Sequence, residues 1–224
     1  GETSRFIQKY GYPPTTLIVA VDAIAIYVEK NNPIETLSLE QVDALFSATR
    51  FCGSPQHIVK WADLGIAKFG DSREVLLYGR NSTSGTYDLF KKQALCGGDF
   101  KAIVNELPGS SSVILSIASS VGGLGYAALG QSEDNVKALP IGVTNKHGID
   151  YIAPNTENIT SGKYPFSRYL YIVVNKPPNQ QLPVLERAFL QFILSEEGQS
   201  MVNENGYYSI SQSLRAKQLM AVLQ

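Results

Sequence analysis

Charge of one sign, long apolar runs and histidine are all scarce in this sequence. Its 224 residues include 19 basic and 20 acidic side chains, which gives a formal net charge of -1. Because no run of Lys and Arg could neutralise successive phosphates, nucleic acid is not an expected partner. No apolar stretch approaches the roughly 18 residues of a membrane span, so membrane insertion is not expected, and the most apolar run, 17–28, contains Asp22 and predicts a buried strand. Any anion that this chain binds must therefore be met by a local group of residues.

Cysteine and histidine are limited to two residues each. Cys52 and Cys96 both stand beside glycine in turn-like sequence. If they pair, closing a loop across 44 positions stabilises the fold by about 4 kcal/mol in the chain-entropy treatment; the alternative is two unrelated free thiols. His57 and His147 lie in different loops without metal-ligand spacing, so the sequence predicts neither a metal site nor a cofactor.

Motifs for catalysis are also missing. The sequence has neither the G-x-S-x-G elbow of serine hydrolases nor the Gly-Lys-Ser/Thr of a nucleotide-binding loop. A formal dinucleotide fingerprint at 123–128 precedes a strand pattern instead of opening a helix, and we interpret it as a turn. We therefore expect a binding protein and not an enzyme.

Strand and helix patterns alternate along the chain. Predicted strands cover 17–28, 75–78, 126–129, 136–141 and 169–174, and predicted helices include 87–95, 112–119, 184–194 and 211–223. A capping-box pattern that starts at Ser38, followed by an apolar face ending at Phe46, predicts a further short helix. This alternation indicates an α/β fold with a mostly parallel sheet.

The segment 80–86 combines an arginine with a hydroxyl-rich turn between a strand and a helix. N–H groups in the first turn of a helix have no intrahelical acceptor, and the macrodipole adds partial positive charge there. Ser84 and Thr86 add hydroxyl donors, and Gly85 lets an anion approach the backbone. Arg80 supplies a planar fork of N–H donors. The turn is a candidate site for a small tetrahedral anion, although two plainer interpretations stay open: Ser84 is only a helix N-cap, or Arg80 only pairs with a surface carboxylate.

The pattern Arg80-x-x-x-Ser84-Gly85-Thr86 after a strand resembles the phosphate-contact loop of the periplasmic phosphate-binding proteins of ABC transporters. Further segments resemble the same family, in the same order along the chain: 19–28 with Asn32-Pro33, 39–46, 123–126, 161–168 with Tyr171, and 192–198. The resemblance covers nearly the whole chain, and the shared order of its parts makes it specific.

This resemblance implies a type II periplasmic-binding-protein fold, an α/β architecture of two lobes with mixed, mostly parallel sheets. The first lobe would comprise 1–26 and 149–224, and the second, 27–148, would carry the anion-binding turn. The resemblance further implies that phosphate is held between the lobes by contact residues that include Arg80, Ser84, Gly85 and Thr86. Arg80 would bind phosphate oxygens, Ser84 and Thr86 would donate from hydroxyl or backbone, and Gly85 would donate its N–H.

The same resemblance implies that the partners are inorganic phosphate and the transmembrane permease subunits of an ABC transporter. The implied location is the periplasm, or the outer face of the membrane, with a tether, in a Gram-positive organism. Two alternatives remain open. The site could hold another tetrahedral oxyanion, sulfate or molybdate, or the fold could serve as a sensor or structural module.

The sequence departs from the family at its beginning. The family normally opens with a strand, a turn and a helix that form the opposing side of the site, then a loop whose acidic residue accepts the phosphate proton. The chain begins at Gly1 beyond the counterparts of both, and Asp22 lies on a strand and does not match that acidic residue. We therefore expect the first lobe to be incomplete as given. Three explanations stay open: the leading segment lies outside these residues, it is supplied by another molecule, or the protein has abandoned tight phosphate binding. No signal peptide stands at Gly1, so either one has been removed or the sequence begins inside the protein.

Overall fold

The computed structural model describes residues 1–131 and 134–223 of the chain. Its strands are β1 (Thr15–Glu29), β2 (Leu37–Ser38), β3 (Leu76–Arg80), β4 (Asn105–Leu107), β5 (Gly123–Ala128), β6 (Val136–Ala138), β7 (Ile141–Asn145), β8 (Gly148–Ile152) and β9 (Ser167–Val174). Its helices are α1 (Glu2–Tyr10), α2 (Leu39–Phe46), α3 (Gly85–Ala94), α4 (Ser110–Ala118), α5 (Thr156–Thr160), α6 (Val184–Ile193), α7 (Glu196–Glu204) and α8 (Gln212–Leu223). None of these helices is both long enough and apolar enough to cross a membrane.

The chain divides into two compact units. Unit 1 comprises Gly1–Asp22 and Arg168–Gln224, and unit 2 comprises Ala23–Ser167. The boundaries fall within β1 and β9, so both strands contribute residues to each unit. The lobes expected from the family resemblance, 1–26 with 149–224 and 27–148, stay a prediction, because a compact backbone unit is not by itself a ligand-binding lobe.

The strands form two mixed sheets. In the larger sheet the order is β4-β3-β5-β1-β6, with β9 also paired to β1; the smaller sheet is β2-β7-β8. Strand β3 is parallel to β4 and β5, whereas β1 runs antiparallel to β5 and β6. The predicted α/β fold with mixed sheets is confirmed, but the expectation of mostly parallel pairing needs correction. In the larger sheet, parallel pairing follows the βα alternation β3-α3-β4-α4-β5, and β1 lies outside that alternation.

Local chemistry explains where elements begin and end. The strand expected over 136–141 is split into β6 and β7, because Pro140 lacks a backbone N–H and cannot continue a strand ladder. The helix expected from 112 begins earlier, at Ser110. The capping box is confirmed, since Ser38 Oγ accepts from Gln41 N at 3.1 Å and Gln41 Oε1 accepts from Ser38 N at 2.9 Å.

Aromatic side chains fill the core of unit 2 behind α3. The ring of Phe90 stacks on that of Tyr126 with centroids 3.9 Å apart, and Phe46 meets both rings edge-on at 5.0 and 5.8 Å. All three side chains are fully buried. Because Phe90 lies on α3 and Tyr126 on β5, this stack holds α3, and with it the start of the helix, against the sheet.

The predicted disulfide between Cys52 and Cys96 is confirmed, with 5.4 Å between the two Cα atoms. It joins the loop after α2 to the turn that follows α3. Nearby, the ammonium group of Lys101 donates to two backbone carbonyl groups, of Ala44 at 2.7 Å and of Ile58 at 3.0 Å. The loop 47–60, which follows α2, is therefore anchored by a covalent bond and by a part-buried cation.

Unit 1 gathers α1, the start of β1, most of β9 and the helices α6 to α8. The side chain of Gln199 on α7 links three of these segments. Its amide nitrogen donates to Val19 O at 2.8 Å and to Ile193 O at 3.0 Å, and its oxygen accepts from Ile210 N at 2.9 Å. Several large apolar side chains of this unit are nevertheless exposed, and Leu185 on α6 is the extreme case at 82%.

Candidate functional site

The segment after β3 folds as a turn that leads into α3, in the strand, turn and helix order predicted from the sequence. Arg80 ends the strand and Gly85 is the first residue of the helix. Ser84 N donates to Asn81 O at 3.1 Å, which closes the turn. Thr83 Oγ1 donates to Asn81 Oδ1 at 2.9 Å. The turn therefore lies at the carboxyl end of a strand in a parallel set, where open α/β sheets bind their ligands.

Ser84 is the N-cap of α3. Its Oγ accepts a hydrogen bond from Thr86 N at 3.1 Å, and the residue is only 7% exposed. The N-cap interpretation is therefore correct for this residue. It does not exclude ligand binding, because a serine hydroxyl that accepts one hydrogen bond still has a proton to donate. Gly85 is exposed, so its backbone at the open end of the helix is accessible to an anion.

The guanidinium group of Arg80 is held by two neutral acceptors. Nη1 donates to Ser110 Oγ and Nη2 donates to Pro108 O, each at 3.1 Å. Its Nε is buried and has no hydrogen-bond acceptor among the described residues. Within the same part of the chain, no carboxylate lies within salt-bridge distance of Arg80. The alternative that Arg80 only pairs with a surface carboxylate is therefore wrong for the described residues.

Sequence reasoning missed the two residues that hold Arg80. Pro108 and Ser110 belong to a second turn, which leads from β4 into α4. The signal was present in the segment Pro108-Gly109-Ser110, because another Gly/Ser-rich turn precedes an apolar helix there. The predicted start of the helix at Ser112 placed this turn too far along the chain, and its link to Arg80 was not expected.

Tyr126 supports the backbone of the same turn. Its hydroxyl donates to Arg80 O at 3.3 Å. Burial raises the pKa of the Tyr126 hydroxyl above its ordinary value, so the group stays protonated and adds no negative charge near the arginine. Gly79 allows this packing, since a Cβ at that position would collide with the ring of Tyr126.

Asp22, excluded from the sequence pattern as the acceptor of a ligand proton, has a structural partner instead. Its Oδ2 accepts from Arg168 Nε at 3.1 Å and from Arg168 Nη2 at 3.0 Å. The aspartate is buried and the arginine is half-buried. Both residues lie in unit 1, at the points where β1 leaves it and β9 enters it. The pair accounts for the buried carboxylate without a ligand.

Comparison with known proteins identifies the family. A family model described as "PBP superfamily domain" matches residues 3–197. The chain belongs to this superfamily. Phosphate-binding protein PstS of Pseudomonas aeruginosa is 47% identical over 216 residues, which cover 96% of this chain and 66% of that protein. Phosphate-binding protein PstS of Staphylococcus aureus is 25% identical over 205 residues, which cover 90% of this chain and 58% of that protein. The PBP-superfamily chain thus spans less than two thirds of the length of either relative.

Solved structures carry the same fold. A candidate phosphate ABC transporter substrate-binding protein from Clostridium perfringens, solved with bound phosphate, is 25% identical, with a TM-score of 0.67 over 88% of this chain and 72% of that one. A candidate phosphate-binding protein from Planctomyces limnophilus is 21% identical, with a TM-score of 0.73 over 99% of this chain and 77% of that one. The predicted periplasmic-binding-protein fold and the predicted family resemblance are confirmed.

Proposed function

We propose that this PBP-superfamily chain binds inorganic phosphate as part of the capture subunit of an ABC-type uptake system, and that it is a receptor and not an enzyme. The observation that carries the proposal is the Arg80 guanidinium. Arg80 ends β3, next to the turn that opens α3. Its guanidinium donates to Ser110 Oγ and Pro108 O of the neighbouring β4–α4 turn, and no carboxylate among the described residues lies within salt-bridge distance of it. A cation in that setting favours a small anion. The names of the Pseudomonas and Staphylococcus relatives, and the phosphate bound to the Clostridium protein, support phosphate as that anion.

The four contact residues supply enough hydrogen bonds for useful affinity. Arg80 would bind phosphate oxygens through its remaining N–H groups, and Gly85 would donate its backbone N–H. Ser84 and Thr86 would donate from their hydroxyl groups, because their backbone N–H groups already donate to Asn81 O and Ser84 Oγ. A hydrogen bond to a charged group contributes about 1.5–3 kcal/mol net. Four or five of them match the roughly 8 kcal/mol of micromolar binding, before the costs of ordering the ligand and the turn are subtracted.

In the proposed two-lobed arrangement, this turn belongs to a second lobe, 27–148, and the first lobe comprises 1–26 and 149–224. We propose that chain outside the 224 residues completes the first lobe. Two observations support this completion. The chain covers only 66% of the Pseudomonas relative, and unit 1 exposes apolar side chains, such as Leu185, Phe189 and Val173, that a complete domain would be expected to cover.

The proposed partners are transmembrane permease subunits, and the proposed location is the periplasm or the outer face of a Gram-positive membrane. Ligand shifts a conformational equilibrium only by its differential affinity for the two states. Initial capture would depend on Arg80, Ser84, Gly85 and Thr86. Any closure that signals to a permease would depend on contacts that the phosphate makes with the completed first lobe.

Isothermal titration calorimetry of the full-length protein with phosphate at neutral pH tests the proposal, with sulfate as a competitor. We expect micromolar or tighter binding. Arg80→Ala should weaken it at least about 100-fold, because at least two charged hydrogen bonds are lost. Arg73→Ala is the matched control, since this arginine is exposed in the same unit and should leave the affinity unchanged.

The outcomes separate the alternatives. Binding that Arg80→Ala removes and that excess sulfate does not displace supports a phosphate receptor. If sulfate or molybdate displaces phosphate equally well, the site binds tetrahedral oxyanions in general and is not specific for phosphate. No heat with any of these anions overturns the proposal and leaves a sensor or structural module.

A further inference from the structure

We infer that Ser110 is a positioning residue for anion binding: it orients the Arg80 guanidinium toward the ligand without neutralising its charge. This role rests on the proposed anion site, and it consists of setting the orientation of the Arg80 guanidinium. It assigns no ligand contact to Ser110 itself.

The sheet brings the two turns together. Strands β3 and β4 are parallel, with Arg80 opposite Leu107 in the register. Asn81 N donates to Leu107 O at 3.2 Å, which extends the pairing one residue beyond the end of β3. The chain that leaves β4 and enters α4 therefore runs beside the chain that leaves β3 and enters α3. Thus Ser110, thirty positions along the sequence from Arg80, lies within hydrogen-bond distance of it.

Ser110 Oγ is itself fixed in place. Besides the bond from Arg80 Nη1, it accepts a hydrogen bond from Ala128 N at 3.1 Å. A hydroxyl oxygen has two lone pairs, and these two donors use both of them. Ala128 ends β5 in the middle of the sheet, and Ser110 is only 8% exposed. The Ser110 hydroxyl oxygen that accepts from the guanidinium is thus held in place by the sheet and is shielded from solvent.

Two acceptors on different nitrogens define the plane of the guanidinium. Ser110 Oγ takes a proton from Nη1, and Pro108 O takes one from Nη2. One N–H on each of these two nitrogens remains available, and a guanidinium group can donate to an oxyanion from more than one of its nitrogens. Since a serine hydroxyl and a backbone carbonyl carry no net charge, they orient the arginine and leave its positive charge available. A carboxylate in the same place would orient the group equally well but would weaken its attraction for an anion.

Replacement of Ser110 removes the group that orients Arg80 and leaves the positive charge of Arg80 unchanged. In the full-length protein, Ser110→Ala should weaken phosphate binding about 10-fold, which corresponds to about 1.4 kcal/mol for one oriented, charge-assisted contact. The number of positive charges is unchanged, so the dependence of the affinity on salt concentration should stay as in the unmodified protein. Ser110→Thr keeps an Oγ and should restore the affinity to within about 3-fold. Ser116→Ala is the matched control on the same helix, because its hydroxyl donates to Ser112 O of its own helix.

An NMR measurement on the ligand-free protein tests the orientation of Arg80 by Ser110 independently of phosphate binding. The Arg80 Nε–H signal in a ¹⁵N NMR spectrum should shift, and its exchange with water should accelerate, in Ser110→Ala but not in Ser116→Ala. If Ser110→Ala fails to fold, Ser110→Cys serves the same purpose, because it keeps the side-chain volume and offers only a weak sulfur acceptor. An unchanged Nε–H signal overturns the inference even if phosphate binds tightly.

A double-mutant cycle gives the second criterion. In an Arg80→Lys background the planar fork is absent, so Ser110→Ala should cause less than half of the loss, on a logarithmic scale, that it causes beside Arg80. Equal losses in both backgrounds would mean that Ser110 acts on its own, and would overturn the positioning role. If the unmodified protein binds no phosphate while the NMR signals respond as expected, the proposed function fails and the orientation of Arg80 by Ser110 stands.

Discussion

Removal of the Cys52–Cys96 disulfide should lower the stability of unit 2 without removing its anion site. The bridge closes a loop across 44 positions, for which the chain-entropy treatment gives about 4 kcal/mol. The same loop is also held by hydrogen bonds, including Cys52 N to Asp43 Oδ2 at 2.9 Å. Some order should therefore survive in the open chain, and we expect a loss of about 2–4 kcal/mol in the double variant Cys52→Ala/Cys96→Ala.

Trp61 provides the assay. It is the one tryptophan in the sequence, it is fully buried, and it lies in unit 2. Its fluorescence during urea unfolding should report the stability of that unit in the oxidised chain, in the same chain with dithiothreitol, and in the double variant. The reduced chain and the variant should agree with each other, and dithiothreitol should have no effect on the variant.

Two results would refute the reasoning about the disulfide. A loss below about 1 kcal/mol would mean that the loop is held by its non-covalent contacts and that the unfolded chain gains little from opening. A large loss of phosphate affinity under folding conditions would mean that the bridge positions the start of α3. We expect less than a 3-fold change, because Ser84 caps that end and the stack of Phe90 on Tyr126 holds the helix.

Two further changes test the interior of unit 2. Burial lowers the pKa of Lys101 to about 8, below the value of 10.5 for a free lysine. Between about pH 8 and pH 10.5 the unfolded chain binds a proton that the folded chain does not, so the free energy of unfolding should rise with pH. Relative to Lys101→Met, we expect a rise of about 1–2 kcal/mol after a discount for solvent screening. Urea midpoints of both proteins at pH 7 and pH 10 measure this, and parallel changes would contradict it. Gly125→Ala would place a Cβ 2.6 Å from Tyr78 O across the β3–β5 pair and should cost about 2 kcal/mol or more. Gly122→Ala is its control, since its Cβ would make only ordinary contacts, and equal losses in the two variants would rule out the collision.

Features encoded within a few residues were predictable from the sequence. The capping box at Ser38 needs only Gln41, three positions later, and both of its hydrogen bonds are present. The turn from Arg80 to Thr86 was recognisable for the same reason, because a strand, a hydroxyl-rich turn and a helix follow one another without interruption. The family resemblance extended this local pattern to the fold.

Features that depend on distant pairing were not predictable. Alternating strand and helix patterns favour parallel strands, but they do not show that β1 would lie between β5 and β6 and run antiparallel to both. The contact between Arg80 and Ser110 has the same origin, because it exists only once β3 and β4 are paired in register. The disulfide lies between these cases, since two cysteines allow only one internal pairing but their spacing does not show that they meet.

The chemistry of the proposed site limits what these residues can select. The roles proposed for Arg80, Ser84, Gly85 and Thr86 are all donor roles, and donors favour any tetrahedral oxyanion of similar size and charge. Phosphate near neutral pH differs from sulfate by carrying a proton, and discrimination requires an acceptor for that proton beside the ligand. The serine hydroxyl and the backbone carbonyl that accept from Arg80 orient its guanidinium but supply no such acceptor to the ligand. It follows that capture by the 224 residues should distinguish sulfate from phosphate poorly. Strong rejection of sulfate by a longer form of the protein would place the proton acceptor outside these 224 residues.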